Sequence, residues 1–172
     1  MPAAFPARAD VVVIGAGQAG LATSCRLTEA GVAHVVLERG RVAETWRGRW
    51  DSFCLVTPNW TVALPGHPYD GDDPDGFMVR DEVVAHLERY ASACTAPVIE
   101  GVDVTSLRRA PGGGFALATS SGPVRARRVV VATGAYQRGT DRPPPPRSLP
   151  TCCRSTWSTT EIRLTCPRAP CW

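Results

Sequence analysis

The feature that most constrains the fold is a glycine turn that directly follows an apolar run near the amino terminus. Residues 10–14 read DVVVI, and Gly15, Gly17 and Gly20 follow with the spacing G-x-G-x-x-G. A continuous β-branched run is typical of a strand buried on both faces of a parallel sheet. Apolar residues then recur at helical spacing, and Gly31 suits a helix C-cap. The pattern predicts a strand, a tight turn and a helix.

A second strand and an acidic residue extend this pattern. Residues 33–37 read AHVVL, and Glu38 follows them, 18 residues after Gly20. In such a unit the first glycine permits the tight turn, the second lets the backbone approach a pyrophosphate, and the third allows close helix–strand packing. Glu38 would accept hydrogen bonds from ribose hydroxyls and repel a 2′-phosphate, although Arg39 beside it weakens the case against NADP. FAD and NAD both fit these residues.

Charge and hydropathy exclude several function classes. The net charge is +3 and the 19 basic residues, all arginine, form no long basic run, which argues against nucleic acid as a partner. No apolar run approaches the roughly 20 residues of a membrane span, and the amino terminus lacks the apolar stretch of a signal peptide. We therefore expect a cytoplasmic protein that binds a small-molecule substrate, with an oligomeric state that the sequence does not indicate.

The seven cysteines give no sign of a metal site. Four of them lie in the last 21 residues without paired spacing, so zinc is not expected. Cys25, Cys54 and Cys94 are scattered, and we expect them to be buried small apolar side chains. Two histidines, His67 and His86, are expected in a loop and on a helix surface.

The rest of the chain does not continue the simple alternation of helix and parallel strand. Residues 41–76 form a long Trp-, Pro- and Gly-rich segment, whose aromatic content argues against disorder. A helix is predicted with Asp81 as its N-cap. Residues 102–108 and 115–119 alternate like the strands of a hairpin, and a third short strand at 124–128 runs into a buried strand, VVVATG, at 129–134. The apolar face of the helix predicted after Asp81 comprises Val83, Val84, Leu87, Tyr90, Ala91 and Cys94.

These motifs together resemble the FAD-binding half of two-dinucleotide-domain flavoproteins. Within that group, residues 44–77, ETWRGRWDSFCLVTPNW…LPGHPYDGDDPDGF, resemble flavin-containing monooxygenases and related bacterial flavoproteins. The resemblance covers about residues 9–150. It implies an α/β fold, a Rossmann-like FAD-binding domain of the glutathione-reductase type, in which a parallel sheet carries an inserted β-meander. It also implies that FAD binds here, that NADPH binds a second Rossmann domain, and that oxygen is activated at the flavin to oxidise a small organic substrate.

The resemblance also implies which residues contact FAD. Residues 15–20 hold the pyrophosphate, Glu38 holds the ribose, and the next residue flanks the adenine. The meander meets the adenine through the backbone of one valine, a Thr-Trp pair closes over the ribityl and flavin side, and the turn after VVVAT returns to the cofactor. The positions are Gly15, Gly17, Gln18, Ala19, Gly20, Glu38, Arg39, Thr45, Trp46, Val104, Thr133 and Gly134. Trp50 and Trp60 are expected to pack the long segment.

No catalytic residue is assigned, and the C-terminal part departs from the family. In flavin enzymes the cofactor carries the redox chemistry and the protein positions and shields it. The sequence has neither the fingerprint F-x-G-x-x-x-H-x-x-x-Y/W after VVVATG nor a second G-x-G-x-x-G for NADPH. We therefore divide the chain into an FAD-binding Rossmann-like domain, residues 1–140, and a Pro- and Cys-rich tail, residues 141–172. The tail is expected to be unstructured, and we interpret it as the product of a reading-frame shift.

Two functions stay open at this point. The first is the FAD-binding segment of an NAD(P)H-dependent flavoprotein monooxygenase or oxidoreductase, expected to be inactive as written because it carries no NADPH domain. Whether the chain is an enzyme by itself is therefore undecided. The alternative is a single-domain regulatory module that binds NAD or another adenine nucleotide. The meander and the Trp-rich segment argue against that alternative.

Overall fold

A computed structural model of the protein describes residues 5–134, which form six strands and four helical segments. The strands are β1 (Arg8–Ile14), β2 (His34–Leu37), β3 (Val98–Ile99), β4 (Val104–Arg109), β5 (Phe115–Thr119) and β6 (Gly122–Val131). The helices are α1 (Gln18–Glu29), α2 (Glu44–Arg47) and α3 (Arg80–Ala93), and a 3₁₀ turn spans Asn59–Val62. The predicted tail, residues 141–172, and the predicted boundary at residue 140 lie outside the described residues.

The strands form one sheet in the order β3-β2-β1-β6-β5-β4. β3, β2, β1 and β6 are parallel to one another, whereas β5 pairs antiparallel with both β6 and β4. This is the predicted α/β architecture, a parallel Rossmann-like sheet extended by a β-meander. One detail of the predicted architecture was wrong: the strands predicted at 124–128 and 129–134 are a single strand, β6. No turn residue interrupts residues 124–131, so β6 pairs first with β5 and then runs beside β1.

Strand β1 separates two apolar layers, which explains its continuous β-branched sequence. Val11 and Val13 face α1 and α3 on one side of the sheet. Val12 and Ile14 face the meander on the other side, where Leu117 is also buried. Each of these side chains is buried, as expected for a strand covered on both faces.

Helix α3 begins one residue before the predicted N-cap. Asp81 lies inside the first turn and pairs with Arg80 at 2.8 Å. The amino-terminal end of α3 is capped instead by Glu82, whose carboxylate accepts a hydrogen bond of 3.0 Å from the N–H of Val79. The predicted apolar face is correct at its centre, but His86 also lies on it and is only 2% exposed. The prediction of a surface His86 was therefore wrong, because this residue lies one helical turn before buried Tyr90.

The cysteine prediction was correct for the burial of Cys25 but wrong in two other respects. Cys25 of α1 and Cys94, the residue after α3, form a disulfide with their Cα atoms 5.2 Å apart. Cys54 is exposed and free rather than buried. The pairing joins residues 69 positions apart in the sequence, so no local spacing indicated it.

The long Trp-rich segment is ordered by one buried polar residue. Asn59 is 4% exposed. Its Oδ1 accepts a hydrogen bond of 2.6 Å from the N–H of Met78, and its Nδ2 donates one of 2.8 Å to the carbonyl of Asp73. Trp50 packs edge-to-face on Phe53, as expected. Trp60 was also expected to pack the segment, but this prediction was wrong, because the residue is 59% exposed.

Candidate functional site

The glycine turn holds β1, α1 and the end of β6 close together. Gly15 has a φ of +104°, and a Cβ on it would lie 2.6 Å from the carbonyl oxygen of Ala132. A Cβ on Gly20 would overlap the carbonyl oxygen of Gly15. The first glycine therefore makes the tight turn and the third allows the helix to pack on the strand, which are the conformational roles predicted for them.

Gly17 occupies the open side of the same turn. A Cβ on this residue would have no heavy atom within 4 Å, and Gly17 is the N-cap of α1. The N–H groups of the first helical turn have no acceptor within the helix, and the helix dipole makes this end positive. Gln18 and Ala19 are exposed here. The turn therefore presents an open, positively polarised cradle of the kind that binds phosphate.

Glu38 is fixed at the edge of that cradle. It is 7% exposed. One carboxylate oxygen accepts a hydrogen bond of 2.6 Å from the N–H of Ala16, and the other accepts one of 3.0 Å from the N–H of Gly40. A carboxylate has about four acceptor positions, so Glu38 can still accept hydrogen bonds from a diol. Arg39, beside it, is exposed.

Helix α2 lies against the glycine turn through a contact that the sequence did not reveal. The N–H of Ala43 donates a hydrogen bond of 3.1 Å to the carbonyl of Ala16, and Ala43 has a φ of +63°. Alanine is not favoured in the left-handed region, so no residue type signalled this turn. It places Thr45 in an exposed position and Trp46 in a half-buried one, where the Trp46 ring lies 5.7 Å from that of Phe53.

The end of β6 also reaches the glycine turn. The N–H of Ala132 donates a hydrogen bond of 2.9 Å to the carbonyl of Ile14. The Cα of Thr133 would lie 3.4 Å from a Cβ on Gly15. Gly134 follows with a φ of +78°. Thr133 and Gly134 are both exposed, so the structure brings this predicted turn to the predicted pyrophosphate site.

Val104 is connected to the site through the chain just before it. It is the first residue of β4, pairs with Thr119, and packs partly against the apolar layer under the meander. Two residues earlier, the N–H of Val102 donates a hydrogen bond of 2.8 Å to the carbonyl of Glu38. The meander is therefore joined to the strand end that carries the acidic residue.

Apart from Val104, which is connected to the site only through Val102, the predicted site residues lie at or beside one edge of the sheet. The glycine turn, Glu38 and Thr133 follow the carboxyl ends of β1, β2 and β6 respectively, the edge where open α/β sheets bind ligands. The groups present can hold an anion and a diol. Within residues 5–134, no three His, Cys, Asp or Glu side chains are placed to hold a metal ion. None of the helices described there is long and apolar enough to cross a membrane.

Comparison with known proteins gives one family and several relatives. The family model described as pyridine nucleotide-disulphide oxidoreductase matches residues 12–145. An uncharacterised oxidoreductase, CzcO-like, of Geobacillus kaustophilus (strain HTA426) is 38% identical over 130 residues, or 75% of this chain and 37% of that protein. Indole-3-pyruvate monooxygenase YUCCA4 of Oryza sativa subsp. japonica is 42% identical over 82 residues, or 46% of this chain and 18% of that protein.

A solved structure shows the same fold. The flavin-containing monooxygenase from Stenotrophomonas maltophilia aligns with a TM-score of 0.65 and 29% identity, over 73% of this chain and 38% of that chain. The present chain therefore spans little more than one third of the length of the Geobacillus relative and of this monooxygenase.

Proposed function

Since the chain belongs to the pyridine nucleotide-disulphide oxidoreductase family, we propose that it is the FAD-binding segment of an NAD(P)H-dependent flavoprotein monooxygenase. The observation that carries the proposal is the placement of Glu38. Its carboxylate is fixed by the N–H of Ala16 at the edge of the open cradle around Gly17. A dinucleotide needs this juxtaposition, because its ribose hydroxyls lie close to its pyrophosphate.

Each part of FAD has a group to receive it. The pyrophosphate would lie over the glycine turn, where Gly17, Gln18, Ala19 and Gly20 offer backbone N–H groups, and Glu38 would accept the ribose hydroxyls. Arg39 and the backbone of Val104 would flank the adenine. Thr45 and Trp46 would cover the ribityl chain, and the Thr133–Gly134 turn would close on the cofactor. FAD supplies the redox and oxygen chemistry, and the residues of this chain bind and orient it.

The monooxygenase class rests on the relatives that share this segment. The Oryza relative is named an indole-3-pyruvate monooxygenase and the Stenotrophomonas structure a flavin-containing monooxygenase. Their likeness to this chain favours a small organic substrate, with NADPH bound by a second domain. This chain spans about 38% of the monooxygenase that it matches, so the substrate has to be identified with full-length relatives.

The binding proposal is tested by Glu38→Ala. Loss of charge-assisted hydrogen bonds to the ribose should weaken FAD binding by about 1–3 kcal/mol, measured by flavin fluorescence titration. Glu100→Ala is the matched control, because the Glu100 carboxylate accepts a hydrogen bond of 2.7 Å from the N–H of Val42 but has no proposed ribose contact. Equal FAD affinity in the wild type and Glu38→Ala would refute the assignment.

Two further ligands separate the proposal from its alternative. FMN lacks the adenosine half, so Glu38→Ala should weaken FAD binding by a larger factor than FMN binding. Tight NAD binding without FAD binding would favour a regulatory nucleotide-binding module instead. With FAD supplied, the purified 172-residue chain should not oxidise NADPH continuously, because its sequence has no second dinucleotide loop. Steady oxidation of NADPH, followed by absorbance, would contradict this.

A further inference from the structure

We propose that Cys25 and Cys94 are a redox-modification site, a disulfide that a small thiol opens through the cavity beside it. The bond joins α1 to the end of α3, with the two Cα atoms 5.2 Å apart. That separation is within the range at which a disulfide forms and re-forms without backbone movement. The proposal does not depend on the cofactor or on the reaction of the longer relatives.

The cavity gives a thiol access to the bond. It has a volume of about 370 Å³, and both cysteines line it. Thr28, Glu29 and Thr95 contribute polar lining. Cys25 is 6% exposed, whereas Cys94 is half-buried. Cys94 is therefore the more accessible residue of the pair and the one on which attack by an incoming thiol is inferred. A cavity of this size receives a small molecule rather than a protein.

The fold has other contacts between the two helices, so the disulfide is not needed to hold them together. Leu21 of α1 and Leu87 and Tyr90 of α3 are each at most 1% exposed in the same apolar layer. The Tyr90 hydroxyl also donates a hydrogen bond of 3.1 Å to the carbonyl of Pro65. A domain of this size buries an adequate core without disulfides. Opening the bond should therefore loosen the helix pair without unfolding the sheet.

The exchange is a two-step thiol–disulfide reaction. The thiolate of a small thiol attacks the Cys94 sulfur and forms a mixed disulfide, while the Cys25–Cys94 bond breaks and Cys25 leaves as a thiolate that takes a proton from water. A second thiol attacks the sulfur of the small molecule and releases Cys94. Two small thiols are oxidised to one small disulfide, and one protein disulfide is reduced to two protein thiols.

Peptide mapping tests the pair in the full chain. Cleavage after arginine places Cys25 alone in residues 9–26, Cys94 alone in residues 90–108, and Cys54 alone in residues 50–80. The oxidised protein should give the linked mass of the first two peptides. In native protein treated with glutathione, that mass should disappear as both cysteines become open to alkylation. A linked mass that is absent from oxidised protein, or that persists until denaturant is added, would overturn the proposal.

The route through the cavity is tested separately. Thr28→Trp fills the cavity from the exposed side of α1 and should slow reduction by glutathione about tenfold, since exchange rates depend on access. Ser92→Trp is the control, because Ser92 is exposed on α3 and does not line the cavity. Equal slowing by both substitutions, or by neither, would contradict access through the cavity.

Hydrogen exchange of the wild-type protein, before and after reduction, measures the loosening of the helix pair. Reduction should increase exchange in α1 and α3 and leave the β4–β5 hairpin unchanged, because only the helices are joined by the bond. Unchanged exchange in both helices after reduction would overturn the inferred loosening.

Discussion

Two substitutions within the same turn should have different effects: Gly20→Ala should lower stability, and Gly17→Ala should weaken ligand binding. A Cβ on Gly20 would overlap the carbonyl oxygen of Gly15 and lie 3.5 Å from the Cβ of Ala132. The obstacle is backbone rather than a flexible side chain, so α1 must move away from β1. A Cβ on Gly17 meets no heavy atom within 4 Å, so the protein without ligand tolerates it.

The magnitude follows from the kind of contact that is disturbed. Forcing one extra carbon into a well-packed site costs about 1–3 kcal/mol, and more where backbone must shift. A domain is stable by only about 5–15 kcal/mol, so Gly20→Ala should lower the urea midpoint clearly. Gly17→Ala should change the free energy of unfolding by less than about 0.5 kcal/mol, since Gly17 is an open position at the start of a helix.

Urea denaturation followed by circular dichroism measures the first effect, and fluorescence titration with FAD measures the second. We expect Gly20→Ala to be destabilised, and Gly17→Ala to fold normally but bind FAD more weakly, because the added methyl group enters the pyrophosphate cradle. A urea midpoint for Gly20→Ala equal to that of the wild type would refute the packing argument. Full FAD affinity in Gly17→Ala would refute the placement of the pyrophosphate.

Two further predictions concern the buried polar groups. Asn59→Ala should destabilise the fold by about 1–3 kcal/mol in thermal or urea melts, because the buried N–H of Met78 loses its acceptor; exposed Ser92→Ala should not. Burial lowers the pKa of His86 below its ordinary value of 6.5. The unfolded chain therefore binds the proton first, and stability should fall as pH drops from about 7 through 6.5 towards the lower folded pKa. His86→Leu should remove that part of the pH dependence, and an unchanged pH profile would contradict it.

The sequence predicted those parts of the fold that local spacing controls. The β-branched run, the three glycines and Glu38 lie within 30 residues, and their geometry follows from steric rules that act over a few residues. The meander was predicted for the same reason, since alternation and a glycine-rich turn determine a hairpin locally. The start of α3 was misplaced because Asp81 and Glu82 can each serve as a capping residue, and the structure uses the second.

The features that the sequence did not reveal depend on contacts between distant segments. Cys25 and Cys94 lie far apart in the chain and meet only because α1 and α3 pack on the same face of the sheet. His86 was assigned to the surface from its polar character, although its spacing from Tyr90 indicated the buried face. The left-handed backbone at Ala43 had no signal, because alanine seldom adopts that conformation.

Ala16 explains why the parts of the candidate site depend on one another. It is fully buried between Gly15 and Gly17. Its N–H is held by the carboxylate of Glu38, and its carbonyl accepts the N–H of Ala43 at the start of α2. The group proposed to bind ribose and the helix proposed to cover the flavin side are therefore both hydrogen-bonded to the backbone of the same residue, Ala16. A change that displaces Glu38 also displaces the turn and α2, so the adenosine and flavin ends of the site cannot be adjusted independently.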